Sequence, residues 1–217
     1  MLLYRANLHG HSVHQACLVE NYLELQRWNE AHPDKVFSLM QWSNQNAAEI
    51  DPQALQDLRQ EFKLRYLHSD HRKVYGHYQI FENCGIWHGA TAIHDWFVRN
   101  LQDEVDNCEY SIVTRKQLEQ LKELCQTVLS QVKVEVVPFI VNADGENGIQ
   151  QLIPGNTKVI TNPEVCQAML PTSEYHHGTT DYGESYLDDL EDTVKIITDV
   201  LAQTNWDSET ILYCASW

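Results

Sequence analysis

Histidine, carboxylate, amide and hydroxyl side chains gather beside aromatic rings in three stretches of this 217-residue chain. They are IHDWFV (Ile93–Val98), DNCEY (Asp106–Tyr110) and LPTSEYHHGTTDYGESY (Leu170–Tyr186). A concave surface that collected such groups would supply hydrogen bonds between apolar walls, the composition of a ligand pocket. His94, Asn107, Glu109, Thr172, His177, Tyr182 and Tyr186 are therefore expected around one site for a small polar, nucleotide-like ligand. Rings stack on bases, and amide, hydroxyl and carboxylate groups read base edges. The plainer reading makes His94 a core-edge histidine, Asn107 and Glu109 turn residues, and the last stretch a loop ending in a helix cap.

A reaction needs more than these groups. Cys108 is flanked by Asp106 and Glu109, and acids beside a thiol raise its pKa instead of activating it. No complete nucleophile–base set accompanies the three stretches, so the reading leans towards binding without turnover. The segment LHGHSVH, with His9, His11 and His14, resembles the first motif of the polymerase-and-histidinol-phosphatase family of metallophosphoesterases. HSDH (His68–His71) could stand as a second motif. The spacing between the two is too long for that family and no late Asp-x-His completes the set. No cofactor or metal is expected; His9, His11 and His14 remain the candidates should a metal be bound.

Charge narrows the partners. The chain holds 31 acidic and 15 basic residues, formal net −16. Nucleic-acid phosphate is repelled by that sign. Asp181–Glu209 alone carries nine acids and one lysine, half of the net charge. The only basic stretch, Arg59–Lys73, is net +3 and reads as a solvated helix face with its exit loop. No apolar run reaches the roughly 18–20 residues of a membrane span. MLLYRANLHGHS lacks the basic and apolar regions of an export signal. Six cysteines without a CxxC pair are expected as free thiols, and the compartment as cytoplasmic.

The elements that must position these groups read as an α+β fold, helices packed on a mainly antiparallel sheet, in a single domain 1–217. Strands are expected at Leu2–Leu8, Val74–Phe81, Glu109–Val113 and Thr210–Cys214. Helical spacing predicts Gln15–Ala31, a helix opened by Asp51–Pro52, and Gly89–Leu101 with Ile93, Trp96, Phe97 and Leu101 inward. Thr114 caps a helix carrying Leu118, Leu121, Cys125, Val128 and Leu129. Tyr182–Leu201 follows, with Tyr186, Leu190, Val194, Ile197 and Leu201 on its apolar stripe. Between the last two helices, β-branched runs around ADGENG predict a β-hairpin insertion over 132–161.

From IFENCGIWHGATAIHDWFV through DNCEY and TRKQLEQLKELCQTVL, then MLPTSEYHHGTTDYGESYLDDLEDTVKII to ILYCASW, the chain resembles a family of uncharacterised phage and prophage proteins. Members often begin Gly-Leu-Asp-Met-Tyr-Leu and carry an Ala-Ile-His-x-Trp-Phe-Val helix, an Asp-Asn-Cys-(Gly)-Glu-Tyr turn and a Leu-Pro-Thr loop. The likeness covers about residues 75–217; the chain departs from it at its N-terminus, at the missing glycine after Cys108 and at Tyr175–His177. It implies a viral origin and action in the host cytoplasm. Three functions stay open: a binder that sequesters a nucleotide-like signal in counter-defence, a metal-dependent phosphoesterase, and an acidic nucleic-acid mimic that blocks a host protein. A homo-oligomer is left open.

Overall fold

In the order of the chain, the elements are β1 (Leu2–Ala6), β2 (Phe81–Ile86), α1 (Thr91–Leu101), β3 (Ser111–Val113), α2 (Arg115–Gln131), β4 (Val134–Asp144), β5 (Gln150–Ile160), α3 (Glu164–Met169), α4 (Glu184–Gln203) and β6 (Thr210–Cys214). The computed structural model describes residues 1–8, 12–13, 15–17, 33–34, 81–106, 108–144, 150–174 and 178–215. One sheet runs β2-β1-β6-β3, and β4 with β5 forms a second, two-stranded one. The architecture is α+β, as the residue patterns predict. The expected helix opened at Asp51, most of Gln15–Ala31 and residues 74–80 of the expected Val74–Phe81 strand lie outside the described residues.

Contacts divide the chain into two compact units. The first comprises Met1–Leu2, Gly85–Gln203 and Tyr213–Trp217, and the second Leu3–Cys84 and Thr204–Leu212. In the second, the rings of Tyr4 and Phe81 lie 6.1 Å apart and Arg5 pairs with Glu82 at 3.2 Å. Its Cys84 thiol is pushed up to about 12, by burial above all.

In the first unit, Met1 and Trp87 exchange two backbone hydrogen bonds of 3.0 and 3.1 Å, the close-pair pattern of antiparallel strands. Helix α1 follows, and every residue from Thr91 to Val98 is buried. Three of these eight, Thr91, His94 and Asp95, are polar, and each is hydrogen-bonded, which lets it sit in a core. Ile93, Trp96 and Phe97 are buried as predicted, with Leu101 half-buried. Burying each large ring contributes roughly 2–3 kcal/mol.

Helix α2 begins where its residues demand. The Thr114 hydroxyl accepts from the Gln117 N–H at 3.2 Å, and the Gln117 side chain accepts from the Thr114 N–H at 2.9 Å. This reciprocal cap satisfies two amide donors that a helix start leaves open. Leu118, Leu121, Cys125 and Val128 form the buried stripe of α2, which packs on α4.

On α4 the buried stripe is Tyr186, Leu187, Leu190, Thr193, Ile197 and Val200. It is turned slightly from the expected one, because Thr193 points inward while Val194 is half-buried. The Thr193 hydroxyl accepts from the Trp87 indole N–H at 2.8 Å and donates to the Asp189 carbonyl at 2.6 Å. A threonine so satisfied can sit in a core.

The predicted hairpin is present. Strands β4 and β5 pair antiparallel from Val134↔Ile160 to Asp144↔Gln150. Asn162 clamps its neck: the side chain accepts from the Lys133 N–H at 2.6 Å and donates to the Gln131 carbonyl at 3.1 Å.

Candidate functional site

His94 stands in the middle of α1 and is 1% exposed. One ring nitrogen, Nδ1, meets the Tyr213 hydroxyl in a short hydrogen bond, and the other, Nε2, lies 3.2 Å from Asp106 Oδ2. A carboxylate accepts, so Nε2 carries the proton and Nδ1 accepts from Tyr213. Burial holds the imidazole below its ordinary pKa, and the Asp106 carboxylate opposes that shift. The histidine is therefore neutral at pH 7.

Tyrosine, histidine and aspartate in line form a proton-relay geometry. The end that would react is closed off. Tyr213 is fully buried and stacks on Phe97 with ring centroids 4.1 Å apart. A nucleophile or base must reach its substrate within hydrogen-bond distance, and a fully buried hydroxyl cannot. The three groups instead tie together α1, β6 and the loop after α1. At that loop, Gln102 Nε2 donates to the Glu109 carbonyl at 3.2 Å and to the Ser111 hydroxyl at 3.1 Å. The backbone of Asp103, Glu104 and Cys108 is left-handed there.

The stretch 170–186 makes a second cluster. Tyr182 and Tyr186 meet edge to face, 5.1 Å apart. The Thr172 N–H donates to the Tyr182 hydroxyl oxygen at 3.2 Å, and the Thr172 hydroxyl donates to the Thr180 carbonyl at 2.9 Å. The Tyr186 hydroxyl donates to the Leu170 carbonyl at 2.8 Å. This loop also docks on α1. Ser173 donates to Asp95 at 2.6 Å, Asp95 pairs with Arg99, and Thr91 donates to the Thr179 carbonyl at 2.9 Å. Gly178 permits the approach: a Cβ there would lie 2.2 Å from the Gly89 carbonyl oxygen. Its φ of +112° is also one that L side chains rarely adopt.

Of the residues expected around one site, Thr172, Tyr182 and Tyr186 come together. His94 belongs to the relay with Asp106 and Tyr213, and Glu109 is exposed, holding Gln102 by its backbone. Asn107, His177, His9, His11 and His14 lie outside the described residues, as does HSDH. Sequence reasoning passed over Asp95, Tyr213 and Ser173. A tyrosine within the mostly apolar strand TILYC was the available signal, since a buried phenol requires a partner.

A further feature among the described residues is apolar. Strands β4 and β5 leave Val134, Val136, Phe139, Ile140, Ile153 and Val159 exposed, Val136 by 67% and Ile140 by 63%. Neighbouring exposed apolar side chains of this kind mark an interaction surface more often than singly scattered ones do. The register puts Val134, Val136, Pro138, Ile140 and Pro154 on one face, with Phe139, Ile153 and Val159 on the other. The base of the hairpin packs on the start of α4. Thr157 donates to Glu184 at 3.0 Å, Val159 bridges to Gly183, and Lys158 lies 3.8 Å from Asp188.

Beside that base runs the acidic face of α4, where Asp188, Glu191, Asp192 and Asp199 are exposed. Crowding is visible in Asp189, whose carboxyl is pushed up to about 7 by burial and then by Asp188 and Asp192.

Comparison with family models, with characterised proteins and with solved structures finds no match for this chain. Among the described residues, no group of three or more His, Cys, Asp or Glu is placed to hold a metal ion, and no helix is long and apolar enough to cross a membrane.

Proposed function

We propose that this protein works by docking onto another protein through the β4–β5 hairpin, without turnover. The observation that carries the reading is the hairpin itself, clamped at its neck and apolar on both faces beyond it. A two-stranded ribbon is marginal alone and gains stability by packing against something.

The edges are poor docking surfaces. Pro138 pairs with Asn156 and Pro154 with Ile140, positions of the same parity. A proline lacks the N–H of a ladder donor and sits in a sheet with its nitrogen on the open side. Each strand therefore offers its outer edge a gap in the middle, and recognition falls to the faces.

Charge selects the occupant. The chain is net −16 and the α4 carboxylates flank the hairpin base, so a second copy is repelled and a partner with lysine and arginine around an apolar patch is attracted. Together with the resemblance to phage and prophage proteins, this makes a basic host protein, met in the host cytoplasm, the partner class. A small polar ligand at Thr172 and Tyr182 has less support, because those groups are spent on hydrogen bonds within the loop.

The probe for this reading is a helical peptide of leucine and lysine, titrated calorimetrically. Wild-type protein should bind it, more weakly as salt rises, and a Val136→Asp/Ile140→Asp variant with unchanged melting should lose at least tenfold in affinity. Equal binding by the variant would remove the hairpin from the account. A dimer that strengthens with salt in sedimentation would assign the faces to a second copy.

A further inference from the structure

The loop that carries Asp106 also carries the exposed thiol of Cys108, and it brings that residue to the end of β6. There the Cys214 thiol donates to the Cys108 carbonyl oxygen at 3.4 Å, across 106 positions of sequence. Cys108 holds a left-handed backbone, φ +56°, one that side-chain-bearing residues seldom adopt. Asp106, two residues before it, is held through His94 to Tyr213, the residue before Cys214.

We propose that Cys108 and Cys214 are a modifiable dithiol, closed into an intramolecular disulfide by exchange with a low-molecular-weight disulfide such as glutathione disulfide. The exposed Cys108, as thiolate, attacks one sulfur of that reagent; its S–S bond breaks, a mixed disulfide forms on Cys108, and the first reagent thiolate leaves. Cys214, as thiolate, then attacks the Cys108 sulfur and expels the second. Two protein thiols lose two protons and two electrons, and one disulfide becomes two small thiols.

The order follows from exposure. Cys108 is open to solvent, whereas the Cys214 thiol is pushed up to about 11, first by burial and then by Cys108. Resolution therefore quickens as pH rises. Cys125 and Cys166 are fully buried and Cys84 is held at about 12, so these compete poorly. The closed bond would pin the 102–110 loop to β6 around the relay. This proposal is independent of the docking function.

The test treats the full chain with glutathione disulfide at about pH 8.5, where thiolate is available. Alkylation and peptide mass mapping without reduction follow. The expected product joins the Cys108 and Cys214 peptides with the loss of two hydrogens, and reductant restores both thiols. In Cys214→Ser, a stable glutathione adduct should accumulate on Cys108. Wild-type protein that stops at that adduct, or that links any other pair of cysteines, overturns the proposal.

Discussion

Replacing Tyr213 by Phe removes one oxygen atom from a fully buried position. The ring stays, and with it the stack on Phe97 at 4.1 Å, so no cavity larger than a hydroxyl appears. What is lost is the donor to His94 Nδ1. That nitrogen is fully buried, and its neighbour Nε2 is committed to Asp106. A buried acceptor without a donor costs about 1–3 kcal/mol. At about 2–4 °C per kcal/mol for a chain of this size, the melting temperature should fall by roughly 2–12 °C. Differential scanning calorimetry of both proteins at pH 7.5 measures it, with urea unfolding as a second estimate. A variant that melts within a degree of wild type, or above it, would refute the hydrogen-bond assignment. It would also reopen the relay as something other than a structural tie.

Trp96→Ala should destabilise by about 3–5 kcal/mol in urea unfolding, because the ring is buried against Phe97. Thr193→Val keeps the shape but strands the buried Trp87 indole N–H, and should cost about 1–3 kcal/mol. Asp189 tests the acidic face through pH. Its folded pKa is raised, so its contribution to stability is full below about 4 and is lost as pH rises through about 7. Asp189→Asn should therefore gain roughly 1–2 kcal/mol at pH 8, discounted for partial exposure, and nothing near pH 4; a gain at both pH values would contradict the assignment.

Local signals were legible in this sequence and distant ones were not. Thr114 and Gln117 announce α2, and the Leu118, Leu121, Cys125, Val128 spacing gives its buried face, because cap and stripe depend on residues a turn apart. β6 falls where TILYC predicts it. β2 was missed: FENCGI holds Asn, Glu and Gly, poor strand formers that the neighbouring strand nonetheless pairs. The α4 stripe was read a residue off because Thr193 counts as polar until its partner Trp87, 106 positions away, is known. For the same reason His94 could be singled out, but not its partner Tyr213, 119 positions away. The hairpin was legible in place but not in its surroundings. Its turn and β-branched runs fix its position, yet nothing local tells whether its apolar residues are covered, and the structure leaves Val136, Phe139 and Ile140 in solvent.

That exposed ribbon is the centre of the account, and hydrogen exchange can watch it directly. With the leucine–lysine peptide in excess, amides of 134–140 and 153–160 should gain protection of at least tenfold, while those of α2 stay unchanged. Protection confined to α2 or to the 170–186 loop, or no change in the hairpin at saturating peptide, would contradict docking through β4 and β5.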